Sequence, residues 1–70
     1  MVDQASTDIL LSEISEGVLR LTLNDQQRRN ALSEAMLARL SEAFSSAAVD
    51  KSVRVIVLAA NGPAFCAGHD

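Results

Sequence analysis

Between Val18 and Leu23 apolar and polar residues alternate, with Val18, Arg20 and Thr22 on one face and Leu19, Leu21 and Leu23 on the other. A period of two predicts a half-buried β-strand. Residues 9–14, Ile-Leu-Leu-Ser-Glu-Ile, form a second short strand candidate, and Ser15-Glu16-Gly17 supplies the turn, so the two are expected to pair as an antiparallel hairpin. The following segment, 24–30, is entirely polar and reads as a surface loop. At Ser33 the period changes. Met36, Leu40, Phe44 and Ala47 recur at helical spacing, while Glu34, Arg39, Ser41, Glu42 and Ser45 occupy the other sides. The spacing predicts an amphipathic helix over 34–48, with Ser33 as N-cap, Glu34 at the positive end of the dipole, and Met36, Leu40 and Phe44 in the core.

Residues 53–60, Val-Arg-Val-Ile-Val-Leu-Ala-Ala, are nearly continuously apolar and rich in β-branched side chains, the mark of a strand covered on both faces. Arg54 is expected at its entrance. Asn61-Gly62-Pro63 then turns the chain out of the sheet. Strand, strand, helix, strand is an α/β order in which a helix crosses between strands, and such crossings are right-handed in nearly all proteins. Residues 1–7 are small and polar, without periodicity, and read as a loose leader.

Composition narrows the classes. Seventy residues make one small unit, and such a chain buries only about 60% of its unfolded surface. Its single cysteine allows no internal disulfide, although small cores rarely supply more than about 3–5 kcal/mol without a staple or a partner surface. A 49% apolar and 21% charged composition is that of a globular chain that expects to pack against something. Six basic against nine acidic residues, scattered apart from Arg28-Arg29, argue against nucleic-acid binding, and Phe44 and Phe65 alone form no base-stacking platform. No signal peptide, transit peptide or spanning segment is legible, so the expected location is the cytosol, without membrane attachment.

Chemistry, if present, belongs at residues 61–70, because ligands in open α/β sheets bind beyond the carboxyl ends of the strands. Glycines at 62 and 68 and alanines at 64 and 67 would let a ligand approach the backbone, and Phe65 could anchor the loop. A simple connection is the bland alternative on pattern alone. Cys66 and His69 have C-x-x-H spacing, but a stable zinc site wants three or four ligands and the chain has no other Cys or His. No metal is therefore expected. A Cys-His nucleophilic pair needs both side chains within hydrogen-bond reach plus an orienting group, which two residues three apart on a loop are not expected to meet, and Cys66 reads as a small apolar residue. Arg28-Arg29 reads as a solvated loop, with phosphate contact as the alternative.

The segment Gly62-Pro-Ala-Phe-Cys-Ala-Gly-His-Asp70 resembles the crotonase-superfamily (enoyl-CoA hydratase/isomerase) motif of Gly, two variable residues, Phe, Cys or Ser, Ala or Ser, Gly, a variable residue and Asp. Asn30-Ala-Leu-Ser33 is similar to that family's Asn-Ala-Leu-Ser or Asn-Ala-Leu-Asn segment, and the Ile56-Val-Leu58 strand lies between the two in the family's order. In place of the Arg-Pro or similar proline step of many members, this chain has Asp25-Gln-Gln-Arg-Arg-Asn30. The resemblance spans about residues 9–70. It implies the N-terminal β-hairpin, crossover helix and buried strand of a crotonase-like ββα spiral, with 8–70 an incomplete domain.

By the same resemblance, the backbone N–H of His69 is one of two donors to an acyl-CoA thioester carbonyl, and Ala31, Ala67, Gly68, His69 and Asp70 contact the substrate. Coenzyme A is part of the substrate and no separate cofactor is implied. The second oxyanion donor and the acid–base glutamates lie downstream in the family, which commonly forms trimers or pairs of trimers. The expected activity of the intact parent is enoyl-CoA hydration, with isomerisation or other thioester chemistry also open. The 70 residues alone are expected to be inactive. A non-catalytic pseudoenzyme or truncated interaction module, and an unrelated α/β binding domain, are the competing readings.

Overall fold

A computed structural model describes residues 8–62, Cys66 and Gly68. The leader at 1–7 and the expectations for Pro63, Ala64, Phe65, Ala67, His69 and Asp70 fall outside these residues. The hairpin forms as the alternation predicts. Strands β1 (Leu10–Ser15) and β2 (Val18–Leu23) are antiparallel, with Leu10 opposite Leu23 and Ser15 opposite Val18. Only Glu16 and Gly17 remain between them, with φ of 51° and 83°. Two positive φ values are what a type I′ turn needs to follow the right-handed twist of its strands.

Helix α1 (Glu34–Ala48) has the bounds that the period predicts, and strand β3 (Val55–Ala60) follows it. The Ser33 hydroxyl accepts a hydrogen bond from the Met36 N–H at 3.2 Å, satisfying a donor that has no partner within the helix. Ser33→Ala is expected to lower stability by about 1 kcal/mol, measured by urea unfolding. Beyond α1, Asp50 accepts from the Ser52 N–H at 2.9 Å and hydroxyl at 2.6 Å, which holds its carboxyl below the usual range. This turn starts the return to the sheet. Strand β3 pairs parallel to β2, Val18 opposite Val55 and Leu23 opposite Ala60, giving the order β1-β2-β3 with α1 as the crossover. Arg54 stands at the entrance, its N–H donating to the Gly17 carbonyl at 2.7 Å.

The core joins Leu10, Leu21 and Leu23 from the sheet to Met36 and Leu40 from α1, with Leu19, Ala43, Ala60 and Cys66 packed against it. Two sequence expectations need correction. Phe44 is 44% exposed, although Ala47 one turn later is buried. Strand β3 forms where expected, but its double cover is not supplied by these residues. Ile56 and Leu58 pair with Leu19 and Leu21 and so share their face, yet they are 39% and 43% exposed. The physical reason is lateral placement, since α1 packs over β1 and β2 and leaves most of β3 open. Among the described residues no helix is long and apolar enough to cross a membrane.

Arg39 ties the start of the described chain to α1. Its guanidinium grips both Asp8 carboxylate oxygens and donates to the Leu10 carbonyl at 3.3 Å. The hydrogen bond from Arg39 is the main cause holding the Asp8 carboxyl below its ordinary 3.8. A depressed folded-state value contributes stability above the unfolded value, and that stability is lost as pH falls through the folded value. Both side chains are more than a third exposed, so solvent screening limits the pair to about 1 kcal/mol or less. The stability gap between the parent and Asp8→Asn, followed by chemical unfolding, is expected to be steady near neutrality and to close below the ordinary carboxyl range.

Candidate functional site

The polar segment 24–30 is organised by its own backbone. Asp25 leads into a short 3-10 helix, Gln26–Arg28, which Arg29 closes in the left-handed region at φ 53°. The Arg29 N–H donates to the Gln26 carbonyl at 3.0 Å and the Asn30 N–H to the Asp25 carbonyl at 2.8 Å. These are the two hydrogen bonds of a Schellman closure. Asn30 is itself left-handed, at φ 58°, a conformation that asparagine tolerates better than most residues.

Asn30 is 1% exposed. Its side-chain oxygen accepts from the Asp25 N–H at 2.7 Å, and its amide nitrogen donates to the Asn61 carbonyl at 2.9 Å. Asn61 is also held by β2 and its extension, its N–H donating to the Leu23 carbonyl at 2.9 Å and its side chain to Asn24 Oδ1 at 3.1 Å. Reading 24–30 as a surface loop is therefore corrected at Asp25 and Asn30, both buried, and holds for 26–29, which are exposed. Arg28 lies 3.7 Å from the Asp25 carboxylate with its own side chain 60% exposed, in keeping with the solvated reading.

This turn delivers Ala31 and Leu32 to the terminal loop. The Leu32 N–H donates to the Gly68 carbonyl at 2.8 Å. Ala31 is partly buried, its N–H bound to the Arg28 carbonyl and its carbonyl accepting from the Ser33 N–H. Gly68 is exposed at φ 102°, with nothing within 4 Å of where a Cβ would stand. Of the five residues expected at the site, the structure thus brings Ala31 and Gly68 together, 37 positions apart in the chain, while Ala67, His69 and Asp70 lie outside the described residues. Cys66 is a free thiol, partly buried and packed against the core. Among the described residues no three His, Cys, Asp or Glu side chains converge on a metal position.

An α/β unit whose loop after a parallel strand exposes a glycine backbone beside the preceding loop-to-helix step defines the amino-terminal part of a crotonase-type fold. The sequence profile of the enoyl-CoA hydratase/isomerase family matches residues 13–70, and the chain belongs to that family. A crystal structure of an enoyl-CoA hydratase from Mycobacterium smegmatis superposes with a TM-score of 0.86 at 62% identity, covering 90% of this chain and 25% of the other. A 1,2-epoxyphenylacetyl-CoA isomerase of Escherichia coli is 36% identical over 63 residues, 90% of this chain and 24% of the relative. A 3-hydroxyisobutyryl-CoA hydrolase of Arabidopsis thaliana is 42% identical over 69 residues, 99% of this chain and 18% of the relative. The chain therefore spans about a quarter or less of the relatives' length.

Sequence reasoning found both motifs and their order but missed what joins them. The signal available was the asparagine content of the two turns, Asn24, Asn30 and Asn61, since asparagine both tolerates left-handed φ and bridges backbone groups.

Proposed function

We propose that these residues form one half of the oxyanion hole of an acyl-CoA enzyme, and that the peptide N–H of His69 is the working donor. The hydrogen bond from Leu32 N–H to Gly68 carbonyl carries the reading. A trans peptide points its N–H opposite its C=O. With the Gly68 carbonyl held by Leu32, our reading puts the thioester on the other side of that peptide unit, where its N–H would be presented. A thioester carbonyl gathers negative charge as an enolate develops, and a preorganised neutral donor stabilises that charge without an electron sink. Ala31, Ala67, Gly68 and Asp70 contribute backbone surface to the same acyl-CoA, and the imidazole of His69 takes no part.

Enoyl-CoA hydration is the proposed reaction of the intact protein. The hydratase named among the similar structures supports it, while the isomerase and hydrolase relatives indicate that this segment serves more than one thioester reaction. Side chains outside the 70 residues then select the outcome, and these residues alone are expected to turn nothing over. Crotonyl-CoA incubated with the intact protein and followed by mass spectrometry should gain one water. The absence of both water addition and acyl-CoA binding would overturn the proposal.

A further inference from the structure

Asn30 has a place in the site that the donor geometry does not require, and the structure assigns it one. We propose that Asn30 is a positioning residue, the fixed end of a two-point clamp that sets the terminal loop against the Ala31–Leu32 step. The first point is the Asn30 side-chain amide on the Asn61 carbonyl at 2.9 Å, and the second is the Leu32 N–H on the Gly68 carbonyl at 2.8 Å. On one side the anchors are two residues apart, and on the other seven. With Asn61 and Gly68 both held by one short, hydrogen-bonded segment, the direction of the Gly68 carbonyl is inherited from the 25–30 turn.

Each part of the turn serves this. Asn30 Oδ1 accepts from the Asp25 N–H while the amide nitrogen faces Asn61. The side chain is buried, so water competes little for its bond with Asp25, while the bond to Asn61 is part-buried. Its left-handed backbone and the Schellman closure fix where that side chain starts. Leucine, the nearest apolar match in volume, would leave both the Asp25 N–H and the Asn61 carbonyl without this partner. The clamp bears on catalysis only through the proposed oxyanion role of the loop, but its mechanical part stands independently of that role.

The test uses two substitutions in the intact protein. Asn30→Asp keeps size, left-handed tolerance and the acceptor for Asp25, and loses the donor to Asn61. Asn30→Gly removes the side chain without backbone strain and covers the case in which a buried carboxylate prevents folding. Amide hydrogen exchange at Leu32 is expected to quicken about tenfold or more in either folded variant, as for loss of one buried hydrogen bond, while the Met36 amide under Ser33 is unchanged. With crotonyl-CoA, kcat is expected to fall about 10- to 100-fold and KM to stay within about threefold, because the donor is misaimed and the rest of the binding surface retained. Unchanged Leu32 exchange would overturn the clamp. Faster exchange in a protein whose unsubstituted form neither binds nor hydrates acyl-CoA would support the clamp and sink the proposed function.

Discussion

Gly68→Ala is expected to lower turnover of the intact protein by about 10²- to 10³-fold, the scale of losing one oxyanion donor. The argument is conformational and not steric. A Cβ at this position meets no atom within 4 Å, so the added methyl has room. It lacks the backbone freedom, because φ of 102° lies beyond the left-handed well that L-residues reach. Holding alanine there costs about 1–3 kcal/mol. The loop can relieve the strain by rotating the peptide that carries the Gly68 carbonyl and the following N–H, which breaks the bond to Leu32 and turns the donor off line. Steady-state kinetics with crotonyl-CoA should record the loss mainly in kcat. The melting temperature should fall by no more than several degrees, since the residue is exposed and the core is elsewhere. A kcat within about threefold of the parent would mean that this peptide does not stabilise the transition state.

Met36→Ala carries the largest expected loss of stability. Met36 is 0% exposed, sits in the first turn of α1, and packs with Leu10, Leu21 and Leu23 at the centre of the cluster. Removing its side chain forfeits transfer energy and leaves a cavity, together about 2–5 kcal/mol. The cavity lies one turn from Ser33 and Leu32, so the site should loosen with the core. Ser45→Ala, on an exposed side of the same helix, is expected to change stability by no more than about 0.5 kcal/mol. Urea denaturation of the three proteins checks both, and a Met36→Ala midpoint equal to the parent's would contradict the packing described.

The elements that were legible in the sequence are those whose signal is local. Alternation at 18–23 sorted Leu21 and Leu23 to the core and Arg20 to the surface, and Ser33 announced the start of α1 because capping depends only on the next few residues. Periodicity says which side chains want cover and not what covers them. It therefore placed Phe44 in the core and β3 between two layers, whereas α1 lies over β1 and β2 and leaves both partly exposed. Polarity misled at 24–30 for a related reason. Asn30 and Asp25 are polar because they serve backbone groups of the chain itself, so hydrophilicity there marks a buried brace and not a solvated loop. Nothing local singles out Asp8, because its partner Arg39 lies 31 positions away. For the site, the two motifs and their order were readable. Their meeting through Leu32 and Gly68 was not, because a backbone hydrogen bond leaves no mark on side-chain identity.

The most direct test separates the peptide from the side chain at residue 69. Replacing the His69 backbone amide by an ester through semisynthesis deletes the N–H and keeps the imidazole, whereas His69→Ala does the reverse. The ester is expected to lower kcat for crotonyl-CoA hydration by about 10²- to 10³-fold, and His69→Ala to stay within a few-fold of the parent. Full activity in the ester protein, with loss in His69→Ala, would contradict the proposed role of that N–H.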